Sequence, residues 1–187
     1  RTMCTFLGTA GKINDKDINS EIVKNAEITF LEGYLWDEEE AKKAFEKAIL
    51  NSNKVAMSLS DIFCVERHKN EFLNLVKNKL DIIFANEQEM LSLVNSSSFS
   101  DAISFSKELD KNIVITRGNK GSISIKGNQI YEYKANKIDN IVDLTGAGDL
   151  FAAGYLHGII NNMNINECLA KGTELSSKII QITGARI

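Results

Sequence analysis

Blocks of apolar and polar positions alternate along the chain, and the spacing within each block predicts which element it forms. Short apolar runs rich in β-branched residues are typical of buried strands, and they occur at residues 26–31, 55–59, 82–85 and 113–116. Longer runs with apolar residues three and four positions apart are typical of helices, and they occur at residues 65–77, 87–94, 100–109, 148–160 and 166–182. Strands that alternate with helices in this way indicate an α/β fold, with a mostly parallel sheet and helices on both of its faces.

Two short segments add detail to this prediction. The acidic run D-E-E-E at residues 37–40 predicts a capping box, in which the N-cap side chain and one three residues later bind each other's backbone amides. The apolar positions of the helix that follows share one face: Ala41, Ala44, Phe45, Ala48 and Ile49. Gly127 and Asn128 favour a tight turn, so the runs at 122–125 and 129–133 are predicted to form a β-hairpin.

The composition limits the classes of partner. A chain of 187 residues with 43% apolar and 25% charged residues suits one globular domain. Its net charge of −3 offers no basic surface, so neither nucleic acid nor a membrane is expected as a partner. No apolar run approaches the roughly 18 residues that would cross a bilayer. Cys4, Cys64 and Cys168 are few, odd in number and widely spaced, which argues for a reducing, cytoplasmic environment without a disulfide framework.

The segment D-L-T-G-A-G-D at residues 143–149 is the strongest indication of chemistry. A strand-like run at 138–142 leads into it, and a helix-like run leads out. Glycines at such a turn let the backbone approach a ligand, and the first amides of the helix favour negative charge. Asp149 places a carboxylate beside this anion-binding turn, which suits a phosphotransferase that must remove a proton from an attacking hydroxyl. The alternative is a turn that only packs a helix against a sheet.

The spacing excludes two commoner glycine motifs. A G-x-G-x-x-G dinucleotide motif fails because its sixth position is Phe151. A phosphate-binding G-x-x-x-x-G-K-[ST] run does not occur anywhere in the sequence. A dinucleotide-dependent oxidoreductase would also need a further strand and a ribose-binding acid after the turn, where the pattern offers only helices.

Three motifs together resemble the ribokinase-like, or phosphofructokinase-B (PfkB), family of sugar and nucleoside kinases. D-x-T-G-A-G-D at 143–149 is followed by F-x-x-G-Y, N-x-x-E occurs at 86–89, and T-x-G-x-x-G occurs at 116–121. They stand in the family's order with similar separations. The segments 31–35 and 58–63 are most similar to the adenosine-kinase-like branch. The resemblance covers nearly the whole chain.

The resemblance implies an ATP-dependent kinase that transfers the γ-phosphate to a hydroxymethyl group of a sugar or nucleoside. Asp149 would be the catalytic base, and Gly146, Ala147 and Gly148 would supply amides that neutralise charge on the transferring group. The alternative for Asp149 is an acid that only complements the helix dipole. Ribose, fructose, adenosine, inosine and guanosine all remain open as substrates.

The same resemblance implies cofactor-binding residues. Asn86 and Glu89 would act through Mg²⁺ and its waters; the alternative is that Asn86 caps a helix and Glu89 is solvated. The predicted nucleotide loop contains Thr116, Gly118 and Gly121, with an ordinary turn as the alternative. Asp143 and Thr145 resemble the family's monovalent-cation site, which would hold potassium with backbone carbonyls near Ile179, Ile182 and Gly184. The alternative is that Asp143 only orders the turn.

Several of these residues follow predicted strands directly, so we expect them to meet at one edge of the sheet: Asn86, Glu89, Thr116, Gly118 and Asp149.

Family members carry a further N-terminal portion with the first strands, most sugar-binding residues and a small β-lid through which family dimers often form. The chain is therefore interpreted as the nucleotide-binding and catalytic part of a longer enzyme, inactive by itself. A catalytically silent nucleotide-binding or interaction module is the other hypothesis.

Overall fold

The computed structural model describes residues 6–187, and the chain divides into two compact units, Arg1–Asp101 and Ala102–Ile187. Within the described residues every helix is too short or too polar to cross a lipid bilayer. Cys64 and Cys168 are buried free thiols, whereas Cys4 lies outside the described residues.

The first unit is built on three parallel strands. They are β1 (Thr29–Glu32), β2 (Val55–Ser58) and β3 (Ile82–Asn86). β2 lies between the other two, with Thr29 opposite Val55 and Ala56 opposite Ile82. Nearly every residue of β2 and β3 is buried, as expected for parallel strands that are covered on both faces. These strands confirm the sequence prediction, apart from a shorter β1.

Helices connect the strands of the first unit. They are α1 (Ser20–Asn25), α2 (Glu39–Asn51), α3 (Ile62–Arg67), α4 (Lys69–Asn78), α5 (Glu87–Val94) and α6 (Phe99–Glu108), the last of which continues into the second unit. The predicted apolar face of α2 is confirmed at Ala41, Ala44, Phe45 and Ala48, which are all buried. Trp36 packs edge-on against Phe45 and Phe72, with ring centroids 5.3 and 6.3 Å apart.

The predicted capping box at residues 37–40 is wrong. The helix begins at Glu39, and its N-cap residue Glu38 makes no side-chain cap. The Asp37 carboxylate binds elsewhere: Oδ2 accepts from Arg67 Nη2 at 2.6 Å, and Oδ1 lies 2.6 Å from His68 Nε2. A long-range ion pair therefore replaces the local cap.

The single helix predicted at 65–77 is two helices, α3 and α4, that meet at His68. His68 is held between two carboxylates, with Nε2 facing Asp37 and Nδ1 lying 3.1 Å from Glu71 Oε2. α3 also begins earlier than predicted, because Asp61 caps it by accepting from the Cys64 amide at 2.6 Å.

The second unit contains three antiparallel strands. They are β4 (Asn112–Thr116), β5 (Ser122–Lys126) and β6 (Gln129–Tyr133). β5 and β6 form the predicted hairpin, in which Gly127 turns with a φ of +53°. β4 pairs with β5 as well, with Ile113 opposite Ile125.

Helices α7 (Ala147–Ile160) and α8 (Ile165–Ile179) pack closely together in the second unit. The contact depends on glycines: a Cβ on Gly154 would lie 2.6 Å from the Lys171 carbonyl oxygen, and one on Gly172 would lie 2.8 Å from that of Phe151. The two backbones can approach this closely only where no side chain intervenes.

The strand expected at 138–142 is absent from the structure, which has no regular element there. Its end pairs with the end of α8 instead: the amides of Val142 and Asp143 both donate to the Ile180 carbonyl oxygen, at 2.8 and 3.3 Å. A strand-like sequence therefore forms an extended connection that leads to the glycine turn.

Candidate functional site

The glycine turn is placed as the sequence predicts, at the start of α7. Gly146 is the N-cap residue with a φ of +79°, a left-handed conformation that glycine adopts readily. Within the part of the chain that the structure describes, no side chain caps this helix and a Cβ on Gly148 would meet no atom within 4 Å. The Ala147 amide is engaged locally, since it donates to the Leu144 carbonyl oxygen at 3.2 Å. The open first turn is thus suited to an anion.

Asp149 is exposed in the first turn of α7. An exposed carboxylate next to open helix amides can accept a proton from a hydroxyl that approaches from solvent.

The Asp143 carboxylate orders the turn before α7. Its Oδ1 accepts from the amide and the hydroxyl of Thr145, at 2.9 and 2.8 Å. Its Oδ2 accepts from the Gly184 amide at 3.1 Å. Asp143, Thr145 and Gly184 are therefore brought together, with Gly184 contributing its amide rather than a carbonyl. Carboxylate oxygens retain further lone pairs, so this set also fits a hard cation such as potassium.

A pocket of about 660 Å³ lies in the second unit. The predicted loop and turn residues that line it are Thr116, Gly118, Gly121, Ala147 and Gly148. Apolar side chains from the extended connection and from both helices complete its walls: Ile138, Ile141, Leu144, Phe151 and Ile180. This volume and mixture of walls are typical of small-molecule sites. Gly146, Asp149, Asp143 and Thr145 lie outside the lining.

Gly121 is required where it stands in the predicted nucleotide loop. Its φ is +95°, and a Cβ there would lie 2.0 Å from the Tyr133 carbonyl oxygen. The loop can therefore pass directly over β6 only with glycine at this position.

The polar residues of the pocket on α8 were not predicted from the sequence. Thr173, Ser176 and Ser177 line it, and they are spaced so that they share one helix face. The Thr173 hydroxyl is buried and has no hydrogen-bond partner in the described part of the chain. A buried hydroxyl without a partner is unfavourable, which is a reason to expect a ligand group there. The helical spacing of these polar residues was the signal available in the sequence.

The N-x-x-E motif forms a capping box on α5 in the first unit. Asn86 Oδ1 accepts from the Glu89 amide at 2.9 Å, and Glu89 Oε2 accepts from the Asn86 amide at 2.9 Å. Glu89 is only 5% exposed, so it is not the solvated residue of the alternative interpretation. Burial, together with the nearby carboxylates of Asp61 and Glu32, raises the pKa of Glu89 to about 7 despite the hydrogen bonds from Asn86.

An acidic and hydroxyl-bearing cluster near Glu89 was not predicted. Ser60 has a φ of +72°, which is uncommon for a residue with a side chain. Its hydroxyl donates to the Glu32 carboxylate and accepts from the Tyr34 amide at 3.0 Å. Burial and the charge of Asp61 raise the pKa of the Tyr34 hydroxyl. Glu32 is the last residue of β1, and Tyr34, Ser60 and Asp61 come shortly after β1 and β2, so position at the strand ends was the available signal.

The chemistry of this cluster fits Mg²⁺ held mainly through water. Among residues 6–187 no group of three His, Cys, Asp or Glu side chains is arranged to hold a metal directly. Mg²⁺ usually keeps several waters and takes few carboxylates, so Glu89 and its neighbours would contact such an ion through its waters.

Comparison with known proteins gives consistent results. The crystal structure of adenosine kinase from Sinorhizobium meliloti superposes with a TM-score of 0.91 at 33% identity, covering 95% of this chain and 56% of the other. A probable sugar kinase from Rhizobium etli gives a TM-score of 0.89 at 35% identity, covering 94% and 55%. These structures confirm the predicted ribokinase-like α/β fold.

The sequence relatives agree with the structures. Adenosine kinase of Schizosaccharomyces pombe is 26% identical over 207 residues, which include 100% of this chain and 61% of the fission-yeast protein. The chain thus spans little more than half the length of the relatives it matches. The family described as pfkB family carbohydrate kinase matches residues 1–187. The chain therefore belongs to the pfkB family of carbohydrate kinases.

Proposed function

We propose that the full-length protein transfers the γ-phosphate of ATP to a hydroxymethyl group of a nucleoside or sugar. The observation that carries this proposal is the pocket of about 660 Å³, which begins at the open first turn of α7 and is lined by the predicted nucleotide loop. Membership of a kinase family and the kinase names of the relatives support it.

The pocket is proposed to hold the nucleotide. Ile141 and Leu144 are 55% and 44% exposed, although they line a concave site. An aromatic base between them would remove this apolar surface from water. Thr173 offers the base a hydroxyl, and Gly118 and Gly121 let the backbone lie close to the phosphates.

Asp149 is proposed as the base that accepts the substrate's hydroxyl proton. The amide of Gly148 and its neighbours in the first turn of α7 would stabilise negative charge on the transferring group, with Gly146 setting the turn. ATP supplies the phosphoryl group, and Mg²⁺ neutralises charge on its phosphates. Asn86 and Glu89 are proposed to orient the waters of Mg²⁺, and Asp143 and Thr145 to hold potassium.

A nucleoside or sugar is the proposed acceptor, because the relatives carry the names adenosine kinase and sugar kinase. The 187 residues alone are expected to be inactive, since they span 56% of the Sinorhizobium chain and phosphoryl transfer requires both substrates to be held together. A cytoplasmic location and a homodimer formed outside this segment remain part of the proposal.

The test is a kinase assay of the full-length protein with ATP, Mg²⁺ and a panel of ribose, fructose, adenosine, inosine and guanosine. Turnover of one acceptor, lost in Asp149→Asn, is expected. ATP binding measured by calorimetry without turnover of any acceptor would instead favour the catalytically silent nucleotide-binding module.

A further inference from the structure

Two buried polar side chains, Tyr155 and Ser124, and the half-buried Asn112 form a closed ring of hydrogen bonds in the second unit. Asn112 Nδ2 donates to the Tyr155 hydroxyl at 2.8 Å, and Ser124 Oγ donates to Asn112 Oδ1 at 2.8 Å. Ser124 Oγ and the Tyr155 hydroxyl lie 3.0 Å apart. Tyr155 and Ser124 are 0% and 1% exposed, so the bond between these two hydroxyls is shielded from water.

The direction of each bond follows from the donors available. Ser124 uses its one proton on Asn112 Oδ1, so the Tyr155 proton is the one that lies between Tyr155 and Ser124. The Tyr155 hydroxyl therefore accepts from Asn112 and donates to Ser124. Burial raises the pKa of Tyr155 to about 12, so this proton is retained at neutral pH. With the Asn112 amide placed this way, each member of the ring donates one of these hydrogen bonds and accepts one.

The ring joins the helix that carries the glycine turn to the strands that carry the nucleotide loop. Tyr155 lies on α7, about 12 Å along the helix axis from Ala147 at 1.5 Å per residue. Asn112 begins β4, which ends at Thr116, and Ser124 lies within β5, which begins after Gly121. The two proposed halves of the nucleotide site are thus connected by defined hydrogen bonds.

Apolar packing alone would leave the position of α7 less well defined. The other buried residues of α7 carry no hydrogen-bonding side chain: Phe151, Ala152, Gly154 and Gly158. Such contacts determine the distance of α7 from its neighbours more strongly than its rotation about its own axis or its shift along that axis. A phenylalanine would fill the space of Tyr155, so packing does not explain the hydroxyl.

We propose that Tyr155, Asn112 and Ser124 are positioning residues that fix the rotation and axial register of α7 against β4 and β5. The ring thereby keeps the first turn of α7, with Asp149, aligned with the nucleotide loop. The positioning of α7 by the ring is inferred from the hydrogen bonds alone. The effect of that position on catalysis rests on the proposed function.

The test compares Tyr155→Phe with Ser106→Ala in the full-length protein. Ser106 is 0% exposed, and its hydroxyl donates to the Ala102 carbonyl oxygen at 2.7 Å. The control thus also removes a buried hydroxyl but does not alter α7. Amide hydrogen exchange is measured at the hydrogen-bonded amides of Thr145, Ala147 and Leu150, well below the melting temperature of both variants. Exchange should become roughly tenfold faster in Tyr155→Phe and stay unchanged in Ser106→Ala.

Kinetics give the second measurement. Tyr155→Phe should lower kcat by roughly 10- to 100-fold, the size of effect that a small misplacement produces, while the KM for ATP changes little. Ser124→Ala should have the same effect, and the double variant should be no worse than either single variant. Unchanged exchange at Thr145, Ala147 and Leu150 would overturn the inference. A wild-type protein that binds no ATP and phosphorylates no acceptor would overturn the proposed function instead, and the exchange data would still decide the role of the ring.

Discussion

The amide of Gly184 donates to the carboxylate of Asp143 at 3.1 Å, so the turn after α8 is tied to the turn before α7. The other carboxylate oxygen, Oδ1, accepts two hydrogen bonds from Thr145. This arrangement holds the glycine turn in place whether or not a cation joins it. These hydrogen bonds account for the ordered conformation of the turn. Only a response of the activity to potassium would show that Asp143 also binds a cation.

We expect potassium to activate the full-length enzyme, because a cation beside Asp143 would neutralise its charge and set the turn at Gly146. Asp143→Ala should lower activity and remove most of the potassium response. Asp139→Ala is the matched control, since Asp139 is an exposed carboxylate in the same connection and should leave both unchanged. If turnover is equally fast in potassium, sodium and a bulky organic cation at the same ionic strength, Asp143 only orders the turn and does not bind a cation.

Asp149→Asn is expected to lower kcat by roughly 10²- to 10⁴-fold, the loss typical of a positioned base. The substitution keeps the size of the side chain and leaves the helix amides in place, so the dissociation constant of ATP should change little. Steady-state kinetics and calorimetry on the same preparation measure both quantities. Near-normal turnover would show that Asp149 only complements the helix dipole.

Thr173→Val should weaken ATP binding without lowering the stability of the protein. The Thr173 hydroxyl has no partner in the described residues, so valine removes an unsatisfied group and should leave stability equal or higher. If the nucleotide base uses this hydroxyl, ATP affinity should fall about fivefold or more, which corresponds to about 1 kcal/mol.

Ser122→Ala is the control for this experiment. Its hydroxyl is also buried and has no partner among residues 6–187, but Ser122 does not line the pocket. The melting temperature should be equal or higher in both variants, whereas ATP affinity should fall only in Thr173→Val. Equal affinities in the two variants would remove Thr173 from the binding site.

The ion pairs of Asp37 should make stability depend on acidic pH. Partial burial raises the pKa of this carboxyl, but hydrogen bonds and charge from Arg67 and His68 outweigh it, so the net pKa lies below the usual value. A lowered pKa contributes stability that is present above the unfolded pKa of about 3.9 and is lost as the pH falls through the folded value. Asp37→Asn should be less stable at pH 7 and should lose less stability on acidification. If the free energy of unfolding fell by the same amount from pH 7 to pH 3 in the wild type and in Asp37→Asn, this expectation would be contradicted.

The glycine contact between α7 and α8 predicts that two similar substitutions differ in effect. Gly154→Ala should destabilise the protein by about 1–3 kcal/mol, because its Cβ would lie 2.6 Å from the Lys171 carbonyl oxygen. Gly148→Ala should leave stability nearly unchanged, because open space surrounds that position. Gly148→Ala should nevertheless lower activity if the phosphates approach there. Denaturant unfolding and kinetics of both variants test the pair.

The elements that the sequence predicts well are those determined by local pattern. The strands at 55–59, 82–85 and 113–116 are confirmed because continuous apolar runs are buried on both faces. The hairpin at Gly127 is confirmed because its turn chemistry is local. The motif at 116–121 lines the pocket. It can be recognised in the sequence because the backbone geometry of the loop itself requires its glycines.

The features that the sequence did not predict depend on contacts between distant residues. The helix break at His68 follows from its contacts with Asp37 and Glu71, and the spacing of apolar residues carries no trace of them. The extended connection at 138–142 pairs with Ile180 rather than with a strand, although its composition is strand-like. The cluster of Glu32, Ser60 and Glu89 gathers only when the ends of three strands are side by side.

The buried cysteines make this protein convenient for fluorescence labelling. Burial raises the pKa of Cys64 to about 12, and it also raises that of Cys168, so neither thiol should react with a maleimide at neutral pH. With Cys4 replaced by serine, a cysteine introduced at the exposed Asn119 would therefore be labelled selectively. Because Asn119 lines the pocket, a dye attached there would report directly whether the proposed nucleotide enters it, without any coupled enzyme assay.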